Sequence, residues 1–291
     1  MINRKRCIYK PTKYMGFFAF YNMSLVLVDY CLKNGYVPCF DLSSFVYRCD
    51  QNANDPWASF FEPLEIYEDP YKIEGELEFR VSEHPPLVCL SDPSYTPLFC
   101  LWNGFPEDKE TREHLNKFSG HVKIRQDIKN EAEAYIKEHF SGKIITGAHL
   151  RHTDHWTDPI PYLKDQTSYH PFEAYTKVLK EHKSSDHIYI ATDAVKNIHK
   201  LRFVKELRDK IIYNDFLRAT TEAPIHLDKD YYGYDPIRLG REVLIDVIIL
   251  SRCDYLVGSI SNITLTALFW NPSLPFTNID RSNGGTADTL V

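Results

Sequence analysis

Three successive segments, KIITGAHL (143–150), HPFEAYTKVLKEH (170–182) and HIYIATD (187–193), decide the fold. The first and third are apolar runs of strand length, whereas the middle segment spaces its apolar residues along one face of a helix. A helix between two such runs carries the chain back across a sheet, so that the two strands lie parallel. The sequence therefore predicts a β-α-β unit in this region.

The same alternation continues toward the C-terminus and predicts a doubly wound parallel sheet. The segments that follow are a helix at 194–210, a strand at 211–215, an apolar helix at 241–253, a strand at 254–261 and a helix at 262–270. We therefore expect residues 141–291 to form a Rossmann-like domain of the α/β class.

The N-terminal half, residues 1–140, is predicted to be a second α/β domain. A glycine-bearing loop at Gly16 to Asn22 precedes a helix at 23–35, which ends at a glycine, and a strand follows at 36–42. Residues 125–140 combine helical spacing with strong helix formers, which predicts another helix. Residues 50–100 are rich in proline, aromatic and acidic residues, and this composition favours loops and short strands.

Composition and charge restrict the class of protein and of partner. The 291 residues are 43% hydrophobic and 25% charged, as in globular proteins, and the formal net charge of -6 argues against a nucleic-acid partner. We find no secretory signal and no apolar run long enough for a transmembrane segment. The seven cysteines include no C-x-x-C pair. Reduced thiols and a cytoplasmic location are therefore expected.

Polar residues follow the predicted strands at the places where α/β sheets bind ligands. Such ligands lie beyond the carboxyl ends of the strands, where loops converge and the N-termini of helices point at the ligand. This rule selects residues 149–154, Asp193 and residues 259–262.

Arg151 is the residue best suited to bind an anion. Its guanidinium presents a fixed fork of donors that matches phosphate oxygens, and it is charged at any relevant pH. A structural salt bridge with a neighbouring carboxylate would explain an arginine here as well.

Asp193 has two open roles, which can coexist: it orients a group in the cleft, or it caps the helix that follows.

Asp246 lies within the apolar helix predicted at 241–253 and needs a partner there. Arg241, in the preceding turn, is too far back for an ideal pair, so the expected partner is a ribose, a backbone amide or a distant cation.

Ser259, Ser261 and Asn262, with Thr264, occupy the next turn between strand and helix. Small polar residues at the N-terminus of a helix bind phosphate oxygens, or they cap the helix without any ligand.

Four motifs in this order carry a family resemblance. HLRHTDHW (149–156), YHPFEAY (169–175), IYIATD (188–193) and REVLIDVIILSRCDYLVGSIS (241–261) resemble the donor-binding half of the α1,6-fucosyltransferases and of the rhizobial nodulation fucosyltransferase. The α1,2- and protein O-fucosyltransferases are more distant. The resemblance covers residues 125–270, and the N-terminal half adds only the Gly16 to Asn22 segment.

The resemblance implies a GT-B-like enzyme in which two Rossmann-like domains face a cleft that holds GDP-fucose. It further implies inversion at the anomeric carbon and no required metal or other cofactor, with residues 1–140 on the acceptor side. Arg151 would neutralise the β-phosphate as GDP departs. The other residues that it places at the donor are Gly16, Asn22, His149, His152, Asp193, Asp246, Ser259, Ser261 and Asn262.

Three positions depart from the eukaryotic α1,6 pattern. His152 replaces a second arginine, Ala194 replaces a second aspartate, and the loop at 155–169 is longer and more polar. A protonated His152 would keep a phosphate contact, but its charge would then depend on pH.

The reaction also needs a base that takes the proton of the acceptor hydroxyl. Asp158 lies nearest to the position of the family's loop carboxylate, with Asp154 and His155 next. Ordinary solvated loop charge would explain these residues equally well.

Two alternative functions remain open at the level of sequence. The chain is a transferase that uses another nucleotide sugar, or a non-catalytic module that binds a sugar nucleotide. The acceptor is a glycan, a lipid-linked glycan or a protein side chain, and the residues do not distinguish among these.

Overall fold

The computed structural model describes residues 5–12, 15–52, 54–64, 78–81, 106, 108–151, 172–221, 225–226 and 233–279. Within these ranges the chain forms two parallel sheets with helices packed on them. None of the helices in the described part of the chain combines the length and apolar character needed to cross a membrane.

The N-terminal sheet consists of β1 (Lys5–Tyr9), β2 (Tyr36–Phe40) and β3 (Glu78–Val81) in the order β2-β1-β3. Helix α1 (Phe17–Asn34) connects β1 to β2 and ends at Gly35, whose φ of 70° is the left-handed conformation that glycine adopts readily. The predicted glycine cap is confirmed. The predicted loop at Gly16 to Asn22 is wrong, because the helix already begins at Phe17 and Asn22 lies inside it.

The C-terminal sheet is the larger of the two described sheets and is entirely parallel. Its order is β6-β5-β4-β7-β8. The strands are β4 (Ile145–Leu150), β5 (His187–Thr192), β6 (Ile211–Ile212), β7 (Tyr255–Gly258) and β8 (Phe276–Asn278). The chain runs outward from β4 through β5 to β6, and then returns to the other side of β4. This reversal between β4 and β7 is a topological switch point, where sheets of this kind bind ligands.

Six further helices complete the described fold. They are α2 (Lys109–Asn116), α3 (Gln126–His139), α4 (Phe172–Glu181), α5 (Val195–Phe203), α6 (Pro236–Ser251) and α7 (Asn262–Trp270). Short 3-10 helices span Asp50–Asn52, Trp57–Ser59 and Lys117–His121. The predicted α/β class with a doubly wound parallel sheet is confirmed.

Two predicted helices have different bounds in the structure. The helix expected at 194–210 ends at Phe203 and is followed by turns. The helix expected at 241–253 begins earlier, at Pro236, because the side chain of Asp235 caps it by accepting from the backbone N–H of Ile237 at 2.9 Å.

A single hydrophobic cluster joins the two halves of the chain. It contains fully buried residues of α1, α3, α6 and α7, including Phe20, Ile128, Leu244 and Phe269. Aromatic rings surround the start of α1, and Phe17 contacts Tyr47 and Phe60 with ring centroids 5.0 Å apart in both pairs. Phe60, which belongs to the segment predicted to be loop-rich, therefore packs the core around α1.

Candidate functional site

A cavity of about 340 Å³ lies at the carboxyl ends of β4 and β5 and beside the turn after β7. Its walls come from both halves of the chain, because the first turn of α1, Gly16 to Ala19, lines it together with residues of the C-terminal sheet. Seven of the residues expected at the donor line this one cavity. They are Gly16, His149, Arg151, Asp193, Asp246, Ser261 and Asn262.

Arg151 follows directly after β4, at the end of the central strand of the sheet. Its side chain is partly exposed and lines the cavity. A guanidinium at this position brings a permanent positive charge to the switch point of the sheet.

His149, two residues earlier in β4, is 4% exposed and bonded to the start of α7. Its Nδ1 lies 3.1 Å from Thr264 Oγ1 and 3.2 Å from Ser261 Oγ. These bonds hold the histidine ring against α7.

Ser261 caps α7 with its own side chain. Its Oγ accepts from the backbone N–H of Thr264 at 3.1 Å, and the two hydroxyls lie 3.0 Å apart. The capping role that the sequence left open is therefore present in the structure. Ser259, in the same turn, is 3% exposed and is not among the residues that line the cavity.

Asp193 lines the cavity at the end of β5. The N-cap of the following helix, α5, is Ala194, and no side-chain hydrogen bond caps that helix. The backbone carbonyl of Asp193 accepts from the N–H of Ala219 at 2.7 Å, which ties β5 to the segment after β6.

Asp246 is bonded to Tyr189, a partner that the sequence did not indicate. The Tyr189 hydroxyl donates to Asp246 Oδ1, and Asn214 Nδ2 donates to the same hydroxyl at 2.9 Å. Burial raises the pKa of Asp246 to about 7, although the Tyr189 hydrogen bond and the charge of Arg218 oppose that rise. Arg241 is bonded elsewhere, with Nη1 2.7 Å from Asp127 Oδ2 on α3.

Sequence reasoning missed Glu242, which also lines the cavity and is 7% exposed. Its Oε2 accepts from the backbone N–H of Leu217 at 2.7 Å, and its Oε1 accepts from Arg238 Nε at 2.6 Å. The glutamate thus fixes the segment after β6, which contributes Phe216 and Leu217 to the wall. Its spacing could have indicated that Glu242 lines the cavity, since a residue four positions before Asp246 lies on the same face of the helix.

Asn22 does not line the cavity but joins the two helices that do. It is 1% exposed; its Nδ2 donates to Asn262 Oδ1 at 3.2 Å, and its Oδ1 accepts from Thr266 Oγ1 at 3.1 Å. The amide therefore connects the interior of α1 to the first two turns of α7.

Three of the expected site residues, His152, Asp154 and Asp158, lie outside the described residues, as does His155. No group of three histidine, cysteine, aspartate or glutamate side chains suited to a metal ion occurs within the ranges that the structure describes.

Comparisons with known proteins give a fold but no sequence family. No protein-family model matches the chain, and no curated protein matches it. Solved structures do match, and they cover nearly the whole chain.

A NodZ α1,6-fucosyltransferase soaked with GDP-fucose has a TM-score of 0.55 at 17% identity, covering 97% of this chain and 98% of that one. The fucosyltransferase NodZ from Bradyrhizobium has a TM-score of 0.53 at 18% identity, covering 97% of each chain. A mutant of Arabidopsis thaliana FUT1 in complex with GDP has a TM-score of 0.51 at 10% identity, covering 94% of this chain and 70% of that one. The chain therefore has a fucosyltransferase-like, GT-B-like fold, and the resemblance stated from its motifs is confirmed at the level of the fold.

Proposed function

We propose that this protein is a fucosyltransferase that transfers fucose from GDP-fucose to an acceptor hydroxyl, with inversion at the anomeric carbon and without a divalent metal. The observation that carries the proposal is that Arg151 and the first turns of α1 and α7 line one cavity at the switch point of the sheet. The fucosyltransferase-like fold supports the choice of donor, since one of the similar structures was soaked with GDP-fucose.

The diphosphate is assigned to the positively polarised end of the cavity. The first-turn N–H groups of a helix lack intrahelical partners and carry partial positive charge, and such turns of α1 and α7 line the wall together with Arg151. As the bond between the anomeric carbon and the β-phosphate oxygen breaks, negative charge grows on that oxygen. A fixed guanidinium and fixed N–H dipoles stabilise this charge more than they stabilise the bound donor.

The nucleoside is assigned to the wall formed by α6 and the segment after β6. Phe216, Leu217 and Val243 supply apolar surface there, and Asp246 supplies a carboxyl group. Asp193 is assigned to the same space, and His149 is assigned to the phosphates. Ser261 and Asn262 lie at the phosphate end, and Asn22 supports Asn262 from behind the cavity wall.

Inversion requires the acceptor oxygen to attack the anomeric carbon from the side opposite to GDP, while a base takes the hydroxyl proton. We assign this base to Asp158, with Asp154 and His155 next, and we assign a phosphate contact to His152.

We take residues 1–140 as the acceptor domain and residues 141–291 as the donor domain. The acceptor is a glycan, a lipid-linked glycan or a protein. The five described cysteines are reduced thiols, in keeping with the proposed cytoplasmic location.

Nucleotide binding and transfer test the proposal directly. GDP and GDP-fucose should raise the thermal midpoint of unfolding without added magnesium, because a ligand that binds only the folded state stabilises it. Arg151→Ala should lower transfer or hydrolysis of GDP-fucose by about 100-fold, as loss of a transition-state contact does, and Arg151→Lys should recover part of that loss.

The alternatives give different results in the same assays. Stabilisation by UDP-sugars or turnover of GDP-mannose, with no response to GDP-fucose, would assign another nucleotide sugar. Binding of GDP-fucose without turnover on any acceptor or on water would assign a non-catalytic binding module.

A further inference from the structure

The carboxyl group of Asp246 is held at one oxygen only. Tyr189, fully buried in β5, donates its hydroxyl proton to Asp246 Oδ1. Because Asn214 Nδ2 donates to the same tyrosine oxygen at 2.9 Å, that oxygen is the acceptor in one bond and its single proton is directed to Asp246 in the other. Among the described residues no hydrogen bond reaches Asp246 Oδ2, and Asp246 lines the cavity.

Charged and titratable groups approach this carboxyl group from α6, from α3 and from the segment after β6. Glu242 precedes it by one turn of α6 and disfavours its ionised form, whereas Arg218, in the segment after β6, favours that form. Tyr135 approaches from α3, with its ring centroid 5.5 Å from that of Tyr189. Burial outweighs the favourable contacts and raises the pKa of Asp246 to about 7.

Arg218 and Glu242 are themselves fixed in place. Arg218 is 7% exposed, and its Nη1 and Nη2 donate to the carbonyls of Phe216 at 2.9 Å and Asn214 at 2.8 Å. Arg238 and the Leu217 N–H occupy the two oxygens of Glu242. Asp246 is therefore the carboxylate of this cluster that keeps an oxygen toward the cavity.

We propose that Tyr189, fixed by Asn214, is a positioning residue that presents Asp246 Oδ2 alone to the nucleobase and thereby sets the preference between bases. This inference rests on the proposed function and concerns the base of the nucleotide. When Asp246 is ionised, Oδ2 accepts hydrogen bonds and suits guanine, whose Watson–Crick edge offers N1–H and N2–H donors. When Asp246 is protonated, Oδ2 carries a proton and suits a ring-nitrogen acceptor such as adenine N1.

The ratio of the ADP dissociation constant to the GDP dissociation constant isolates this effect. Both nucleotides carry the same ribose and diphosphate, so any pH-dependent contact to the ribose or the diphosphate acts on both alike. With a midpoint near pH 7, the ratio should be about 100-fold larger at pH 8 than at pH 6, because it follows the quotient of the ionised and protonated fractions, which rises from about 0.1 to about 10.

The test compares Tyr189→Phe with Tyr135→Phe by calorimetric titration of GDP and ADP at pH 6, 7 and 8. Loss of the Tyr189 hydroxyl removes a hydrogen bond to the ionised form, so the midpoint should move to higher pH and the ratio at pH 7 should fall by about 3- to 10-fold. Tyr135→Phe deletes a phenolic hydroxyl in the same cluster that makes no hydrogen bond to Asp246, so it should keep the wild-type ratio and midpoint.

A measurement without ligand distinguishes a positioning role of Tyr189 from a general loss of structure in the variant. The infrared band of the protonated Asp246 carboxyl, identified by its loss in Asp246→Asn, should persist to higher pH in Tyr189→Phe than in wild type. A wild type that fails to bind GDP overturns the proposed function and the base preference with it. A wild type that shows the pH-dependent ratio, together with a Tyr189→Phe protein that shows the same ratio and the same infrared midpoint, overturns this inference alone.

Discussion

Helices α1 and α7 both direct their first turns at the cavity, but they begin in different ways. Ser261 caps α7 with a side chain that also meets Thr264 and His149. Gly16 begins α1 with no side-chain hydrogen bond, and aromatic packing around Phe17 fixes its position. The hydroxyl at the start of α7 is thus already hydrogen-bonded within the protein, whereas the glycine at the start of α1 leaves the first N–H groups of that helix to a ligand.

The largest expected effect comes from a charge placed at the uncapped start. Gly16 has φ of -65° and nothing within 4 Å of an added Cβ, so Gly16→Asp fits and supplies the missing cap. Stability should rise by a few tenths of a kcal/mol, roughly the difference between aspartate and glycine at an N-cap. The affinity for GDP should fall by about 100-fold through repulsion of the diphosphate. Calorimetric titration and urea unfolding measure the two quantities.

The matched control is Gly16→Asn, which caps the helix equally well without the charge. It should gain similar stability and lose much less affinity. Equal affinities for Gly16→Asp and wild type would place the diphosphate away from α1.

The next largest effect is expected when the hydrogen bonds that Asn22 makes between α1 and α7 are removed. Asn22→Ala removes the donor to Asn262 Oδ1 and an acceptor for Thr266 Oγ1, whose bond to the Asn262 carbonyl at 2.7 Å remains. It should lower the free energy of unfolding by about 1–3 kcal/mol, as measured in urea. Asn34→Ala removes an exposed amide at the other end of α1, whose bond to the Tyr30 carbonyl is 2.8 Å long, and should change stability little. A similar small change in both variants would show that the buried bridge does not hold the helices together.

The packing that fixes the start of α1 can be tested at Gly240 on α6. A Cβ at this position would lie 2.5 Å from Phe60 Cε1 and 3.1 Å from Phe17 Cε2, so Gly240→Ala should cost about 2 kcal/mol through overpacking. Gly120→Ala meets nothing within 4 Å and serves as the control in thermal unfolding. Retention of wild-type stability in Gly240→Ala would mean that the aromatic rings move aside freely.

The smallest effect is expected at the capped start. Ser261→Ala removes the α7 cap and should cost about 1 kcal/mol of stability while the dissociation constant of GDP stays close to that of wild type. Ser24→Ala, which removes a buried hydroxyl bonded to the Phe20 carbonyl at 2.8 Å, is the control. A much weaker GDP affinity in Ser261→Ala, with stability intact, would make Ser261 a phosphate ligand after all.

Much of the fold followed from local pattern. The strands at 145–150 and 187–192 and the helix at 126–139 lie within the predicted segments, because apolar periodicity over a short window reports directly on a buried face. The start of α1 was misjudged for the opposite reason. Glycine and aromatic residues are poor helix formers by propensity, and only the aromatic cluster around Phe17 makes that turn helical.

The candidate site followed from sequence only in part. Arg151, Asp193 and Ser261 line the cavity as the positional rule expects, since strand ends meet at one edge of a parallel sheet. Glu242 was missed because its side chain serves a backbone N–H in a distant segment, and the partner of Asp246 was misjudged because Tyr189 is 57 residues away.

The sequence by itself determined the alternation of strands and helices between residues 143 and 270 and the chemical types of residue at the strand ends. The tertiary structure alone decided which side chains are hydrogen-bonded to one another. The pairs are Asn22 with Asn262, His149 with Ser261, and Asp246 with Tyr189. The physical reason is the separation along the chain over which each interaction acts. Periodicity and capping act between neighbours in the chain, whereas a buried hydrogen bond depends on which surfaces meet once the whole chain has packed.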